Sequence, residues 1–269
     1  MKVLLNLFCF LFVCRFEAQV SKTVWTPNSG RRPLSHQYLR EADIGWAKRI
    51  WRTIDLRDRL NYPLYFPHGE YVSKSSLFDV LYSAVIDGRI TAYNPNDDEF
   101  VHPMTVIEVR ARLLRRDSSR YVNIDNDGNE FLVTYENKDS IGAESIIQYY
   151  VKEDWFFDTR RSVLDVRILG ICPVIYDEKK QIFRPIFWVY MEECRPVLVQ
   201  HLAGNGRNTA RELSFDDIFI KRIFNSYITK ESNLFDRSIE DYTEGREKWL
   251  EAERIKNRIY NMESDLWQY

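Results

Sequence analysis

The sequence predicts an α+β protein: a mostly antiparallel sheet with flanking helices, an extended N-terminal arm and a C-terminal amphipathic helix. The sheet is predicted from successive runs in which aromatic and β-branched residues dominate between short polar turns. The helices are predicted from capping residues that precede apolar residues at helical spacing. A meander of three strands has enough apolar area to anchor helices on one face.

The meander is predicted between residues 152 and 191. Its first strand ends in the aromatic run 155–157, and residues 158–161 form a polar turn. In the second strand Leu164, Val166 and Ile168 alternate with charged residues, as a half-buried strand requires. The third strand, within residues 182–191, follows another polar turn at 177–180. These strands are expected to form the centre of the sheet.

The first helix is predicted after Asp43, which is a suitable N-cap. The helical spacing is that of Ala47, Ile50, Trp51 and Ile54. Residues 46–51 also share the pattern aromatic-x-Lys-Arg-Ile-aromatic with residues 219–224, which suggests a duplicated helix packed on one sheet.

Three further helices follow from their caps. Ser75 or Ser76 caps a helix that Gly88 ends, with a short strand at residues 89–93 after it. Thr105 opens a capping box, so a helix is preferred to a strand at residues 106–113. Ser214 caps a helix whose apolar face continues to Ile223. The expected buried positions of the three are Leu77, Leu81, Val85, Val106, Val109, Leu113, Phe215, Ile218 and Phe219.

A last helix is predicted over residues 244–267, because apolar residues recur at alternating spacings of three and four. They are Ala252, Ile255, Ile259, Met262 and Leu266. Docking of this helix on its own domain is the preferred interpretation. An arm that packs on a neighbouring subunit is the alternative.

Residues 121–125 and 130–135 flank Asp127-Gly128, which indicates a β-hairpin. Asn123, Asp125 and Asp127 resemble the first half of a calcium-binding loop, but Thr134 stands where the closing acid belongs. The four histidines show no zinc-binding spacing. The sequence therefore predicts no metal and no cofactor.

The chain divides into four predicted segments: a signal peptide at 1–18, the arm at 19–42, an α+β core at 43–235 and a C-terminal helical arm at 236–269. The signal peptide is predicted from a basic start followed by an apolar run too short to span a membrane. Basic and acidic residues, 38 and 40 in number, are interspersed, so no global charge favours nucleic acid.

Export leaves Cys172 and Cys194 as the cysteines of the mature chain, which an oxidising compartment could join. If the chain turns near residues 177–180, Cys172 pairs with a residue near position 185, so direct cross-strand bonding is doubtful. A possible disulfide and two buried free thiols are both kept open.

Few residues suggest catalysis. The acids Glu153, Asp154 and Asp158 lie beside aromatic residues, as in glycosidases, but ion pairs with Arg160 and Arg161 are the preferred interpretation. No nucleophile elbow or phosphate loop is present. The one basic cluster is taken as a solvated helix face, with an acidic partner as the alternative. It contains Arg110, Arg112, Arg115 and Arg116.

Several blocks of the sequence resemble the GldN/PorN family of the type IX secretion and gliding machinery of Bacteroidetes. They are KEDWFFD at 152–158, RSVLDVRILGICP at 161–173, ECRPVL at 193–198 and FDDIFIKRIFNSYITKESN at 215–233. The resemblance extends from about residue 44 to the C-terminus.

The resemblance implies a non-enzymatic, periplasmic subunit, peripherally associated with the outer membrane. It implies assembly with a GldK/PorK-type lipoprotein into a ring, and a link to the motor through a GldM/PorM-type protein. The family supplies no catalytic residues. Our own expectation for its interfaces, from the arm, the basic cluster and the last helix, is Trp25, Arg110, Arg112, Arg115, Ile255, Ile259, Met262 and Leu266. The runner-up is a secreted hydrolase with Glu153 and Asp158 as its acids.

Overall fold

A computed structural model describes residues 31–67, 75–124, 130–177, 180–203 and 213–266, with side chains left out at 115–140, 263, 265 and 266. Its centre is a seven-stranded antiparallel sheet in the order β2-β8-β6-β5-β1-β9, with β7 also paired to β6. The strands are β1 (Ile44–Asp55), β2 (Ala92–Tyr93), β5 (Ile146–Asp158), β6 (Val163–Asp177), β7 (Ile182–Pro185), β8 (Trp188–Tyr190) and β9 (Tyr227–Glu231). The predicted α+β class is confirmed.

The predicted meander is present and central. β5 and β6 form a long hairpin in which Asp158 is opposite Val163, and the turn falls at residues 159–162 as expected. The third run is divided into β7 and β8, because residues 186–187 leave the strand and Met191 begins a helix. Ile186 and Phe187 are nonetheless fully buried, so the interruption lies in the core.

The prediction of a helix after Asp43 is wrong, because residues 44–55 form β1. This strand pairs with β5 on one side and β9 on the other, so it lies inside the sheet. Ile50 and Ile54 are fully buried, and their spacing of four fits one face of a strand as well as a helix. The predicted duplication is also wrong, since residues 46–51 belong to a strand and 219–220 end a helix.

The other predicted helices are present, together with two that the sequence did not indicate. Ser76 caps α2 (Leu77–Ile86), Thr105 caps α3 (Val106–Leu113) and Ser214 caps α5 (Phe215–Ile220). In α3 and α5 the capping box is complete, since the acid at the third helical position accepts a hydrogen bond from the backbone N–H of the cap residue. The unexpected helices are α1 (Tyr62–Tyr65) and α4 (Met191–Leu198).

The predicted hairpin forms a separate two-stranded sheet of β3 (Leu114–Ile124) and β4 (Glu130–Ser140). Each strand has 11 residues, so the ribbon is longer than the sequence suggested. The Asp127-Gly128 turn lies outside the described residues. Ile141 donates to the carbonyl of Leu113, which closes the ribbon at its base next to α3.

The last helix is α6 (Glu247–Leu266). Ala252, Ile255 and Ile259 are buried in a small cluster with Ile50 and Trp155 of the sheet. The helix thus docks on its own domain, which was the preferred interpretation. A larger apolar cluster lies around the remaining sheet and contains residues of α2, α3, α4 and α5.

The structure describes residues 31–42 of the arm; residues 31–40 have no helix or strand, and a 3-10 helix (Glu41–Asp43) follows them. Its polar contacts run to the body: Arg161 donates to the Gln37 side chain at 2.7 Å and Arg167 to the Gln37 carbonyl at 2.8 Å. Arg195 donates to the Leu34 carbonyl. These contacts between the arm and the body are polar hydrogen bonds, so the sheet remains the centre of the fold.

Candidate functional site

The acids that the sequence singled out on β5 are engaged within the sheet. Glu153 is completely buried, and Arg222 lies 2.9 Å from one of its oxygens while the Trp155 indole donates to the other at 2.9 Å. Asp154 binds Arg49 at 2.8 Å, directly across the β1–β5 ladder. A buried carboxylate needs such partners to remain charged. These acids therefore join neighbouring elements.

Asp158 organises the turn between β5 and β6. One of its oxygens accepts from the backbone N–H groups of Arg160 and Arg161 at 2.9 and 3.1 Å, and the other accepts from the Arg161 guanidinium at 2.6 Å. The Arg161 hydrogen bond, helped by these backbone donors, lowers the pKa of Asp158. The predicted ion pair with Arg161 is confirmed.

The geometry gives no support to the glycosidase alternative. Glu153 and Asp158 are five residues apart on one strand, so they point to opposite faces and their Cα atoms are about 17 Å apart. The paired acids of glycosidases lie within about 10 Å of each other on either side of one bond.

Lys152 is a buried cation that the sequence analysis did not single out. Its side chain is 1% exposed, yet its ammonium donates to the Asp98 carbonyl at 2.6 Å and to Glu99 at 2.7 Å. The rings of Trp51 and Phe100 lie 5.5 and 5.6 Å from the ammonium. Lys152 therefore anchors the loop after β2 to the sheet. The signal was a charged residue inside a strongly apolar strand.

A second buried ion pair connects α4 with α5. Arg195 and Asp216 are 3% and 5% exposed and lie 3.0 Å apart. Burial raises the pKa of Asp216, and the Arg195 hydrogen bond opposes this shift. The same arginine donates to Leu34 of the arm, at the side of a groove of about 320 Å³ that the arm, β6 and α5 line together.

Cys172 and Cys194 are buried free thiols, the former in β6 and the latter in α4. Burial raises the pKa of both thiols well above its usual range. A protonated, buried thiol is a poor nucleophile and a poor metal ligand. The arrangement corresponds to the free-thiol alternative.

The described residues contain no group of three histidines, cysteines or acids that could hold a metal. Among the histidines they include, His36 faces Glu192 at 3.0 Å and His102 faces Asp97 at 2.6 Å. Burial lowers the pKa of His201. His68 and the calcium-like positions Asp125 and Asp127 lie outside the described residues.

The predicted interface residues have different fates. Ile255 and Ile259 are 0% and 4% exposed, because they pack against their own sheet. Met262 is half-buried on the same face. Arg110 is exposed and Arg112 half-buried on α3. Trp25 and the side chains of Arg115, Arg116 and Leu266 lie outside what the structure describes.

Several large apolar side chains, which the sequence analysis did not single out, are exposed instead. Tyr176 and Phe183, 40% and 45% exposed, lie with ring centroids 5.3 Å apart at the β6–β7 hairpin. Others are Ile107 on α3, Leu114 at the start of β3, and Tyr242, Trp249 and Leu250 around the start of α6. Clusters of exposed apolar groups with charged neighbours are typical of protein interaction sites.

The fold and its surfaces define a class: an α+β protein whose internal charges stabilise its own sheet and whose exposed apolar groups suit contacts with other proteins. The family model described as "Gliding motility associated protein GldN" matches residues 39–268, so the chain belongs to the GldN family. The search of curated proteins found no significant match.

The GldN family is a component of the gliding motility and type IX secretion machinery, and it is a structural component rather than a known enzyme family. Membership in a machinery implies partner components. Within the part of the chain that the structure describes, none of the helices has the length and hydropathy of a membrane span.

Proposed function

We propose that this protein is a structural subunit of the type IX secretion machinery that assembles with a GldK/PorK-type lipoprotein into a ring at the periplasmic face of the outer membrane. The observation that carries the proposal is the family match, which covers the whole sheet and every helix named above. A GldM/PorM-type periplasmic motor protein is the second proposed partner.

The distribution of charges supports a structural role. Glu153, Lys152 and Arg195 are the charged groups most deeply placed in the body, and each meets a partner from another element of the same chain. Loss of one partner would leave the other as a buried, uncompensated charge, so these pairs hold the elements that carry them together. A subunit that repeats in an assembly needs such a fixed shape.

The proposed location follows from the N-terminus. Residues 1–18 have the pattern of a secretory signal peptide, which would deliver the chain to the periplasm. The lipoprotein partner would then provide the membrane attachment, through its acyl chains. The protein itself would remain peripheral.

Co-expression tests the proposal directly. The chain and a GldK/PorK-type lipoprotein of the same organism are produced together, solubilised from outer membranes and separated by size. We expect a common high-mass species that contains both proteins, visible as rings by electron microscopy. Recovery of this chain as a monodisperse monomer that does not bind the lipoprotein would count against the proposal.

A further inference from the structure

Helix α3 presents an apolar and basic surface. Ile107 is 80% exposed and Leu114, one residue beyond the helix, is 36% exposed. Arg110 lies between them in the sequence, is exposed, and forms no ion pair with any residue that the structure describes. Residues 105–116 contain four arginines and one acid. This surface, Ile107, Arg110 and Leu114, is called the basic surface below.

The start of α6 presents a surface of opposite charge. Trp249 and Leu250 are 59% and 55% exposed, and Tyr242 before the helix is 47% exposed. Glu244 and Glu247 beside them are exposed and have no ion-pair partner within the described chain. Residues 238–250 contain four acids and two basic residues. Tyr242, Glu244, Glu247, Trp249 and Leu250 form the acidic surface.

The two surfaces lie on different elements of the chain. The start of α3 lies next to β2, since Met104 donates to the Ala92 carbonyl. The acidic surface adjoins β9, an edge strand of the sheet, where Trp249 packs on Tyr227 with centroids 4.7 Å apart. Among the described residues, the ion pairs of α6 run to Glu240, to Glu231 and within the helix, and none of them joins α6 to α3. Within one copy the two surfaces are therefore not paired with each other.

The β3–β4 ribbon extends the basic surface. It begins directly after α3 and forms its own two-stranded sheet, without pairing to any other strand that the structure describes. A lone two-stranded ribbon is marginally stable in water and gains stability when another surface covers it. Because the ribbon begins directly after α3, a protein surface that covers the ribbon would lie close to Arg110.

We propose that the basic surface of one copy binds the acidic surface of a second copy, head to tail. A second copy is favoured as the partner because the same chain carries both surfaces, one with basic and one with acidic residues beside its exposed apolar side chains. Complementary charge steers and orients such contacts. A contact between two different surfaces repeats from copy to copy and closes into a ring when the rotation permits. This inference rests on the proposed ring subunit and supplies its homotypic contact.

Charge reversal with complementary rescue tests the contact. Arg110→Glu alters the basic surface, and Glu244→Lys with Glu247→Lys alters the acidic surface, in the full chain. We expect either variant alone to self-associate about tenfold more weakly than the unaltered protein, measured by sedimentation over a range of concentrations. An equimolar mixture of the two should assemble again, because each altered surface then meets an opposite charge.

Arg160→Glu is the matched control, since it makes the same charge change at an exposed arginine in the turn between β5 and β6. It should assemble as the unaltered protein does, and far-ultraviolet circular dichroism should show that all variants fold. Variants that assemble normally, or a mixture that remains dissociated, would overturn the proposed contact, as would an unaltered protein that never self-associates.

Lipoprotein binding separates this inference from the proposed function. Both charge variants should still bind the GldK/PorK-type lipoprotein in a pull-down, which would place the homotypic contact elsewhere on the subunit. If the variants bind the lipoprotein and also form normal rings, the homotypic contact is wrong and the proposed function stands. If the unaltered protein binds no lipoprotein, the proposed function itself fails.

Discussion

At the scale of single residues, the charged groups inside this protein connect elements that are far apart in the sequence. Arg195 is the best example, because it holds Asp216 of α5, borders Glu192 of its own helix, and reaches the backbone of the arm. The pair is nearly inaccessible to solvent. Its main consequence is that either partner, left alone, becomes a buried uncompensated charge.

Arg195→Met should therefore lower the free energy of unfolding by about 3 kcal/mol at neutral pH. Burial already raises the pKa of Asp216 above its ordinary value of 3.8, and loss of Arg195 raises that pKa further. When the pKa of an acid is higher in the folded state than in the unfolded state, the protein loses stability as the pH rises from the unfolded-state pKa through the folded-state pKa. The cost of the substitution should thus be smallest below about pH 4 and grow towards neutral pH.

Denaturant titrations at several pH values measure this dependence. The double variant Arg195→Met with Asp216→Leu removes both charges and should recover much of the lost stability, with little pH dependence of its cost. A destabilisation by Arg195→Met that is equally large at pH 4 and pH 7 would contradict the role given to Asp216.

The two cysteines give a chemical prediction. Because both thiols are buried and burial raises their pKa, the folded protein should react very slowly with iodoacetamide. After denaturation without a reductant, mass spectrometry should find both Cys172 and Cys194 labelled. Labelling only after reduction would instead reveal the disulfide that the sequence left open.

At the scale of elements, the local signals are reliable where a helix has a cap and misleading where a strand is paired with another strand on each side. Thr105 and Ser214 predict helix starts correctly, because the hydrogen bonds of a capping box all form within four consecutive residues. The sequence predicts a helix at β1 because the spacing of Ile50 and Ile54 fits one face of a helix as well as one face of a strand. Its partners, β5 and β9, lie about 100 and 175 residues further along, which no local pattern contains.

The candidate surfaces were predicted less well than the fold. The periodic residues of the last helix were correctly recognised as a buried stripe, and only the surface that buries them was uncertain. Exposed residues follow no period, so Trp249 and Leu250 could not be separated from core residues by sequence alone. Lys152 and Glu153 became interpretable only when their partners on distant loops were known.

Ile255→Ala tests the docking of α6 on its own sheet. Ile255 is fully buried between Ile50, Trp155 and the helix, so its truncation should leave a cavity and cost about 2–5 kcal/mol in the isolated chain. Leu250→Ala on the same helix, at a side chain 55% exposed, should cost less than about 0.5 kcal/mol. Equal small effects in urea titrations would mean that α6 awaits a partner instead.

At the scale of the whole molecule, two apolar clusters share the same strands. Ile50 belongs to the smaller cluster and Ile54 to the larger one, although both lie on β1. β5 likewise contributes Trp155 to the smaller cluster and Val151 to the larger. Neither cluster can lose its strands while the other keeps them. The boundary predicted near residue 236 therefore separates two parts of the chain without separating two cores.

The shared strands lead us to expect that the sheet and α6 unfold in one cooperative transition. Loss of helix signal in far-ultraviolet circular dichroism and the change in tryptophan fluorescence should coincide along a urea titration, because Trp155 reports on the small cluster and Trp188 on the other end of the sheet. Ile255→Ala should move both curves to lower urea by the same amount. If α6 were an independent arm, that variant would shift an early transition of α6 and the small cluster and leave the later transition of the sheet unchanged. Such a body would also hold the acidic surface fixed relative to the sheet, because Trp249 packs on Tyr227 of β9.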